Sequence, residues 1–196
     1  MLCNAAGASE AASGGESMSD VQHFNVKVFA TPDSTVNWPD LIPVFHRWIQ
    51  ERSVPESLID VADYAHVPAG PGVVLVAHEA IYSLDNRANK LGLLYNRRTV
   101  LEGSSEDKLR QACRSAASAA SLLEREPELR GKLRFDDSTL EIFVNDRMLA
   151  PNTEETFERL SPAIEAIAEE HLGGPVQLNW DGNPRGLFRV SVRRQG

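Results

Sequence analysis

The most constraining feature of this sequence is that its strand-like segments come in pairs joined by short turns. Apolar, β-branched residues fill Leu58 to His66 and then Val73 to His78, and residues 67–72 between them include two prolines and two glycines. Such a segment forms a tight connection. Alternating apolar residues predict further hairpins at Lys132 to Val144 and over residues 176–192. Strands joined by short turns run antiparallel, so the sequence predicts a mostly antiparallel sheet.

Three helix-like segments separate these strands. A first strand is predicted over residues 23–30, and apolar residues then recur at helical spacing over residues 39–52 and 105–125. Asn152 is predicted to cap a third helix, which ends at Gly173. The predicted order is β-α-β-β-β-α-β-β-α-β-β, in which units of one helix and one hairpin recur. The predicted fold class is therefore α+β, with three helices packed on the sheet.

The chain divides into a tail and one domain. Residues 1–20 consist largely of Ala, Gly, Ser and Glu, so they have little to bury and are predicted to be disordered. Met18 is an alternative start to Met1, because the first strand follows it directly. Residues 21–196 are predicted to form a single α+β domain, since hydrophobic residues make up 42% of the sequence and can supply a core.

The cysteines and the hydropathy pattern bear on location. The sequence has two cysteines, Cys3 and Cys113, too few for a disulfide framework, which favours a reducing, cytoplasmic compartment. Cys113 falls in the apolar stripe of the second helix, where a packed thiol is expected rather than a reactive one. No stretch approaches the ~20 consecutive apolar residues of a membrane helix, so no membrane partner is expected.

The charge balance limits the partners. The sequence carries 20 basic and 28 acidic residues, a formal net charge of −8. A sequence-independent nucleic-acid binder must neutralise phosphates, so this balance argues against that function. However, Arg87 to Arg114 holds seven basic and three acidic residues. Within it, Arg97 and Arg98 are candidate ligand-binding residues for a small anion. The alternative is a solvated face whose arginines are neutralised by nearby acidic residues.

Acidic and histidine side chains flank the turn at residues 67–72. If His66 pairs opposite Val73, Asp63 and His78 become diagonal neighbours on one face of the hairpin. A carboxylate beside an imidazole can transfer protons, so Asp63, His78 and His66 are candidate catalytic residues. A metal site built from these three would need a β-bulge, because side chains alternate along strands. The alternative is a polar border whose side chains satisfy one another.

Three segments carry a resemblance. VFHRWIQ at residues 44–50, the stretch DVADYAHVPAGPG at residues 60–72, and LLYNRR at residues 93–98 resemble an uncharacterised bacterial protein family of similar length. The resemblance covers roughly residues 24–194. It implies a bacterial, cytoplasmic protein and supplies no activity, cofactor or catalytic residue.

These observations favour a non-catalytic binding or assembly protein. The sequence contains no GxGxxG, P-loop, GxSxG, HExxH or CxxC motif, so the cofactor, if there is one, is unknown from the sequence. The expected partner is an unknown protein or a small anionic ligand, and the edges of a hairpin-rich sheet favour a homodimer. The alternative is a metal-dependent or acid/base enzyme with a site around Asp63 and His78.

Overall fold

A computed structural model of the chain describes residues 21–68 and 70–196. Over these residues the chain forms eight strands and three α-helices. The strands are β1 (Phe24–Ala30), β2 (Leu58–Tyr64), β3 (Gly72–Ala77), β4 (Ala80–Asp85), β5 (Gly92–Arg97), β6 (Phe135–Val144), β7 (Val176–Trp180) and β8 (Phe188–Arg194). The helices are α1 (Leu41–Glu51), α2 (Ser105–Arg125) and α3 (Glu154–Leu172). The predicted α+β class is confirmed, whereas the predicted tail, residues 1–20, lies outside the described residues.

The eight described strands form one sheet, and every neighbouring pair in it is antiparallel. The strand order is β2-β3-β4-β5-β1-β6-β8-β7, so β1 lies between the hairpin-connected strands β2 to β5 and a second group in which only β7 and β8 form a hairpin. The edges of the sheet are β2 and β7. None of the described helices is long and apolar enough to cross a membrane.

Strand β4 is an element that the sequence pattern did not predict. It follows β3 after only His78 and Glu79, and neither residue is among those that usually mark turns. Because the connection is this short, the pattern continues from β3 into β4 without a break. The structure places Val73 opposite Leu84, which makes β3 and β4 a hairpin.

The predicted hairpin at Lys132 to Val144 is wrong, because the structure has the single strand β6 there. The turn signal at Asp136 is nevertheless real: the Ser138 amide donates to its carboxylate at 2.9 Å. That local turn makes an irregularity in the pairing of β1 with β6, between the partners of Val28 and Ala30, and the chain does not reverse. Helix α2 is therefore followed by one strand, so the helix–hairpin unit does not recur there.

The two faces of the sheet differ in what covers them. One face carries the apolar side chains of alternate positions, such as Val26 of β1, Ile142 of β6 and Val190 of β8, and all three α-helices pack on it. Helix α2 contributes the predicted narrow stripe that includes Ala112, Ala116 and Cys113. Small side chains let this helix approach the sheet closely. The hydrophobic core lies between this face and the helices.

The opposite face, called the open face here, carries the alternate side chains. Its residues include Asp85 of β4, Lys27 of β1, Glu141 of β6, Ser191 of β8 and Asn179 of β7. None of the described helices packs against it. The open face mixes polar side chains with apolar ones such as Leu94 and Phe143, whereas the helix-covered face is apolar. The strands present this mixed surface to ligands or partners.

Candidate functional site

The structure separates the residues that the sequence suggested for catalysis. Asp63 lies opposite Val73, and the His78 amide bonds to the Ser57 carbonyl at the far end of the β2–β3 pair. The register differs from the one expected, so Asp63 and His78 lie five residues apart along the strand direction, about 17 Å. His66 is exposed in the turn beyond β2. Among the described residues, no three His, Cys, Asp or Glu side chains are grouped so that they could hold a metal ion.

Arg97 and Arg98 lie at the end of β5. Arg97 is half-buried and its Nε donates to the Thr99 carbonyl at 3.2 Å, whereas Arg98 is exposed. Arg97 shares a strand face with Tyr95, whose side chain is buried in the core. The two arginines are therefore at the opposite end of β5 from Gly92, where the cavities described next are found.

A cavity lies at the end of the sheet where β1 ends and β6 begins. Its volume is about 880 Å³, within the range of small-molecule sites. Open-face side chains of four strands line it, from Phe29 of β1 to Asn179 of β7, and the loop after β1 forms one wall through Val36 and Trp38. The connection between β4 and β5 forms another wall. We call this space the larger cavity.

Polar side chains without an internal partner line the larger cavity. These side chains form no hydrogen bond with another described side chain or backbone group, and they are Asn86, Asn89, Gln177, Asn179 and Ser191. Asn152, in contrast, donates to both the Asp181 carboxylate and the Asn183 carbonyl. The larger cavity therefore presents several amide and hydroxyl groups to whatever fills it, next to the ring of Phe29.

One carboxylate borders the larger cavity. Burial opposes ionisation of Asp136, but hydrogen bonds from Ser138 and Thr139 outweigh it and hold the pKa of this carboxyl below its usual value. The Ser138 and Thr139 hydroxyls both donate at 2.6 Å. Arg193 lies close enough to Asp136 to lower the pKa of that carboxyl further, so Lys90 is the cation that lines the larger cavity without a described carboxylate partner.

A smaller cavity of about 280 Å³ adjoins the larger one, and both are lined by Phe29 and Lys90. The charged side chains around the smaller cavity are Lys27, Asp85, Arg87, Lys90, Glu141 and Arg189. Two ion pairs account for four of them: Lys27 with Asp85, and Arg189 with Glu141. The Arg189 guanidinium also lies 4.7 Å from the centre of the Phe143 ring, a cation–π contact.

The Lys27–Asp85 pair depends on a glycine. Lys27 is on β1 and Asp85 on β4, and Gly92 of β5 lies between them. A Cβ at residue 92 would come within 2.7 Å of the Lys27 Cε and 2.6 Å of the Val28 carbonyl oxygen. The absence of a side chain there lets the lysine cross β5 to reach its partner. Both charged groups are about 95% buried, which makes the pair a fixed part of the cavity wall.

A second polar cluster lies inside the core. The Glu56 carboxylate accepts hydrogen bonds from Tyr82 at 2.5 Å, from Ser115 at 3.1 Å and from Tyr95 at 3.2 Å. Burial and, to a smaller extent, the hydrogen bond to Glu56 raise the pKa of Tyr82. Burial also raises the pKa of Tyr95. Both phenols therefore stay protonated as donors. The cluster joins the loop before β2 to the sheet and to α2.

Sequence reasoning did not find the cavity residues. The alternation of Gln177 and Asn179 with Val176 and Leu178 indicates that β7 has one polar face. No local pattern reveals that β7 lies beside β8 and faces the connection between β4 and β5, because those segments are far apart in the chain. The signal that could have pointed to the site is the pair Arg87 and Lys90, at the start of the basic segment Arg87 to Arg114.

Comparisons with protein-family models, with curated proteins and with solved structures found no significant match. The resemblance carried by residues 44–50, 60–72 and 93–98 therefore stays a prediction.

Proposed function

We propose that this protein binds a small polar organic molecule in the larger cavity of the open face. The observation that carries the proposal is the group of five amide and hydroxyl side chains that line the cavity without an internal hydrogen bond. A ligand with hydroxyl, amide or ring nitrogen groups would satisfy them. Phe29 and Trp38 supply apolar contact area beside these groups, the combination that small-molecule sites usually have.

The proposed role is binding, because the side chains that line the larger cavity are better suited to holding a ligand than to catalysis. Its polar groups are amides and hydroxyls that orient a ligand, and the carboxylate of Asp136 is held by its neighbours as a hydrogen-bond acceptor. The helix-covered face fixes the sheet from behind, so the open face is a preformed surface. A preformed site loses little entropy when a ligand binds.

Self-association and location stay predictions of the sequence. The edge strand β2 presents an unpaired backbone to solvent, and Ile59 on it is 57% exposed. We propose that a second copy pairs with this edge, because open edges are usually covered. A cytoplasmic location in a bacterium is likewise proposed, on the two cysteines and the resemblance.

Native mass spectrometry of untagged protein purified without harsh washing tests the binding role. Asn179→Trp places a large side chain in the larger cavity, and Asn145→Trp makes the same exchange at an exposed site at the other end of the sheet. The wild type and Asn145→Trp should retain a small-molecule adduct that Asn179→Trp lacks. An adduct retained equally by Asn179→Trp, or a wild type that neither carries an adduct nor is stabilised by polar compounds, would contradict the proposal. The same spectra give the subunit count.

A further inference from the structure

We propose that the smaller cavity binds the phosphoryl group of the ligand, so that the ligand is a phosphate monoester whose polar body lies in the larger cavity. This inference rests on the proposed function, because it names the chemical class of the molecule bound there. It differs from the expectation that Arg97 and Arg98 hold an anion, and it assigns that role to Arg87 and Lys90.

The charge of the smaller cavity fits a dianion. Four cationic side chains and two carboxylates line it, which leaves a surplus of two positive charges. The whole protein, by contrast, has a formal net charge of −8, so this local surplus runs against the overall field. A phosphate monoester carries about −1.5 to −2 charges at neutral pH, which matches the surplus.

The surplus belongs to two residues. Lys27 is paired with Asp85, and Arg189 with Glu141, so both carboxylates of the cavity are already neutralised. Arg87 and Lys90 are exposed and form no ion pair with a described carboxylate. Both lie within the connection between β4 and β5, three residues apart. A guanidinium and an ammonium at this position can donate to separate oxygens of one phosphoryl group.

The surroundings hold the charges in place. Lys27 and Lys90 lie 5.6 and 5.8 Å from the centre of the Phe29 ring, and the buried ion pair across Gly92 fixes the wall beneath them. A buried ion pair contributes to the electrostatic field at the ligand, but its two charged groups keep each other as partners and do not bind the ligand. Phe29 and Lys90 border both cavities, so one molecule can place its phosphoryl group in the smaller cavity and its body in the larger.

Isothermal titration calorimetry with inorganic phosphate, at low ionic strength, tests the assignment. The variant Arg87→Gln/Lys90→Gln removes the two surplus charges, and Arg97→Gln/Arg98→Gln removes the same number of charges elsewhere. Phosphate affinity should fall at least about tenfold in the first variant, since each charge-assisted hydrogen bond contributes about that factor, and should stay within twofold of wild type in the second. Sulfate should compete, and added salt should weaken binding.

Three results would overturn the assignment. They are no phosphate binding by the wild type at millimolar concentration, an equal loss of phosphate affinity in both variants, and a loss of phosphate affinity only in Arg97→Gln/Arg98→Gln.

Melting temperatures of the variants check that each is folded. The changed side chains at 87 and 90 are exposed, so no loss of stability is expected. Asn179→Trp should leave phosphate affinity unchanged. If the wild type ignores phosphate but retains an adduct that Asn179→Trp loses, the phosphoryl assignment fails and the binding role stands; if both are absent, both fail.

Discussion

At the residue scale, Glu56 shows how one buried carboxylate can join three parts of the fold. It lies in the loop before β2, yet its oxygens accept from Tyr82 of β4, Tyr95 of β5 and Ser115 of α2. Tyr82 and Tyr95 also contact each other edge to face, with ring centres 5.1 Å apart. A buried polar network of this kind stabilises only while each member keeps its partners.

Tyr82→Phe should therefore destabilise the protein by about 1–3 kcal/mol, because it leaves a buried carboxylate oxygen of Glu56 without its donor. Urea denaturation followed by circular dichroism measures the free energy of unfolding. Tyr64→Phe is the matched control, since Tyr64 is 44% exposed and its hydroxyl makes no hydrogen bond with a described residue. Equal stability of Tyr82→Phe and the control would show that the Glu56 cluster contributes nothing.

Gly92 is required by close approach of its neighbours. A methyl group at this position would press on the Val28 carbonyl and on the Lys27 side chain. Gly92→Ala should lower the free energy of unfolding by about 1–3 kcal/mol, the usual range for overpacking. At Gly174 an added Cβ would lie 3.6 Å from the nearest atom, in Arg194, so Gly174→Ala is expected to be neutral. A neutral Gly92→Ala would mean that β5 can shift to admit the side chain.

Cys113 is a packed thiol, as its place in the helix stripe predicted. It is 1% exposed, and burial raises its pKa to about 12. In a Cys3→Ser variant, which removes the second cysteine of the sequence, Cys113 should react with a thiol reagent only as fast as the protein unfolds. Rapid reaction in native buffer, at a rate that urea does not change, would contradict this placement.

At the scale of elements, α2 begins with a capping box. The Asp107 amide donates to the Ser104 hydroxyl oxygen at 3.1 Å, and the Ser104 amide donates to the Asp107 carboxylate at 3.2 Å. Hydrogen bonds from the Ser104 side chain and backbone lower the pKa of Asp107. A lowered pKa in the folded state means that this contribution is complete above the usual Asp pKa and is lost as pH falls through the lowered value.

Ser104→Ala should lower the free energy of unfolding by about 1 kcal/mol at pH 7. The difference between wild type and variant should narrow in acid, where Asp107 is protonated and its charge-assisted bond to Ser104 is lost. Urea denaturation at several pH values measures it. Ser118→Ala, on the exposed side of the same helix, is the control for helix propensity. A difference that stays constant with pH would exclude the ionised carboxylate from the cap.

Elements with a local signal could be predicted from the sequence. The capping-box spacing and apolar stripe gave α2 at the residues observed, and Val26 and Val28 marked β1. The segment around Asp136 was mistaken for a reversal because an aspartate turn looks the same whether it ends a strand or interrupts one. The third helix is capped by Thr153, since Asn152 is drawn away by Trp180 and the β7–β8 loop.

The candidate site depends on long-range pairing, which no local pattern encodes. Asp63 and His78 seemed neighbours only for one assumed register, and the observed register places Asp63 opposite Val73. A shift of a few residues along one strand is enough to separate two side chains completely. The larger cavity, in turn, exists because the strand order brings β7 and the β4–β5 connection to the same end of the open face.

At the scale of the whole molecule, the two faces of the sheet have different roles. The helix-covered face holds the hydrophobic core, while the open face carries paired charges at its centre and unpaired amides, hydroxyls and cations around the two cavities. A sheet supported from one side leaves the other side fixed and accessible. We expect the open face to bind a polar ligand.

Amide chemical-shift mapping by NMR locates ligand binding on the fold. Isotope-labelled protein is titrated with glucose, glucose 6-phosphate and adenosine monophosphate, and the shifted amides are placed on the fold. At least one phosphorylated compound should shift amides within residues 86–91, 177–179 and 189–193, and glucose should shift the same amides less. Shifts confined to the outer sides of α2 and α3, or no shift with any of the three compounds at millimolar concentration, would contradict this expectation.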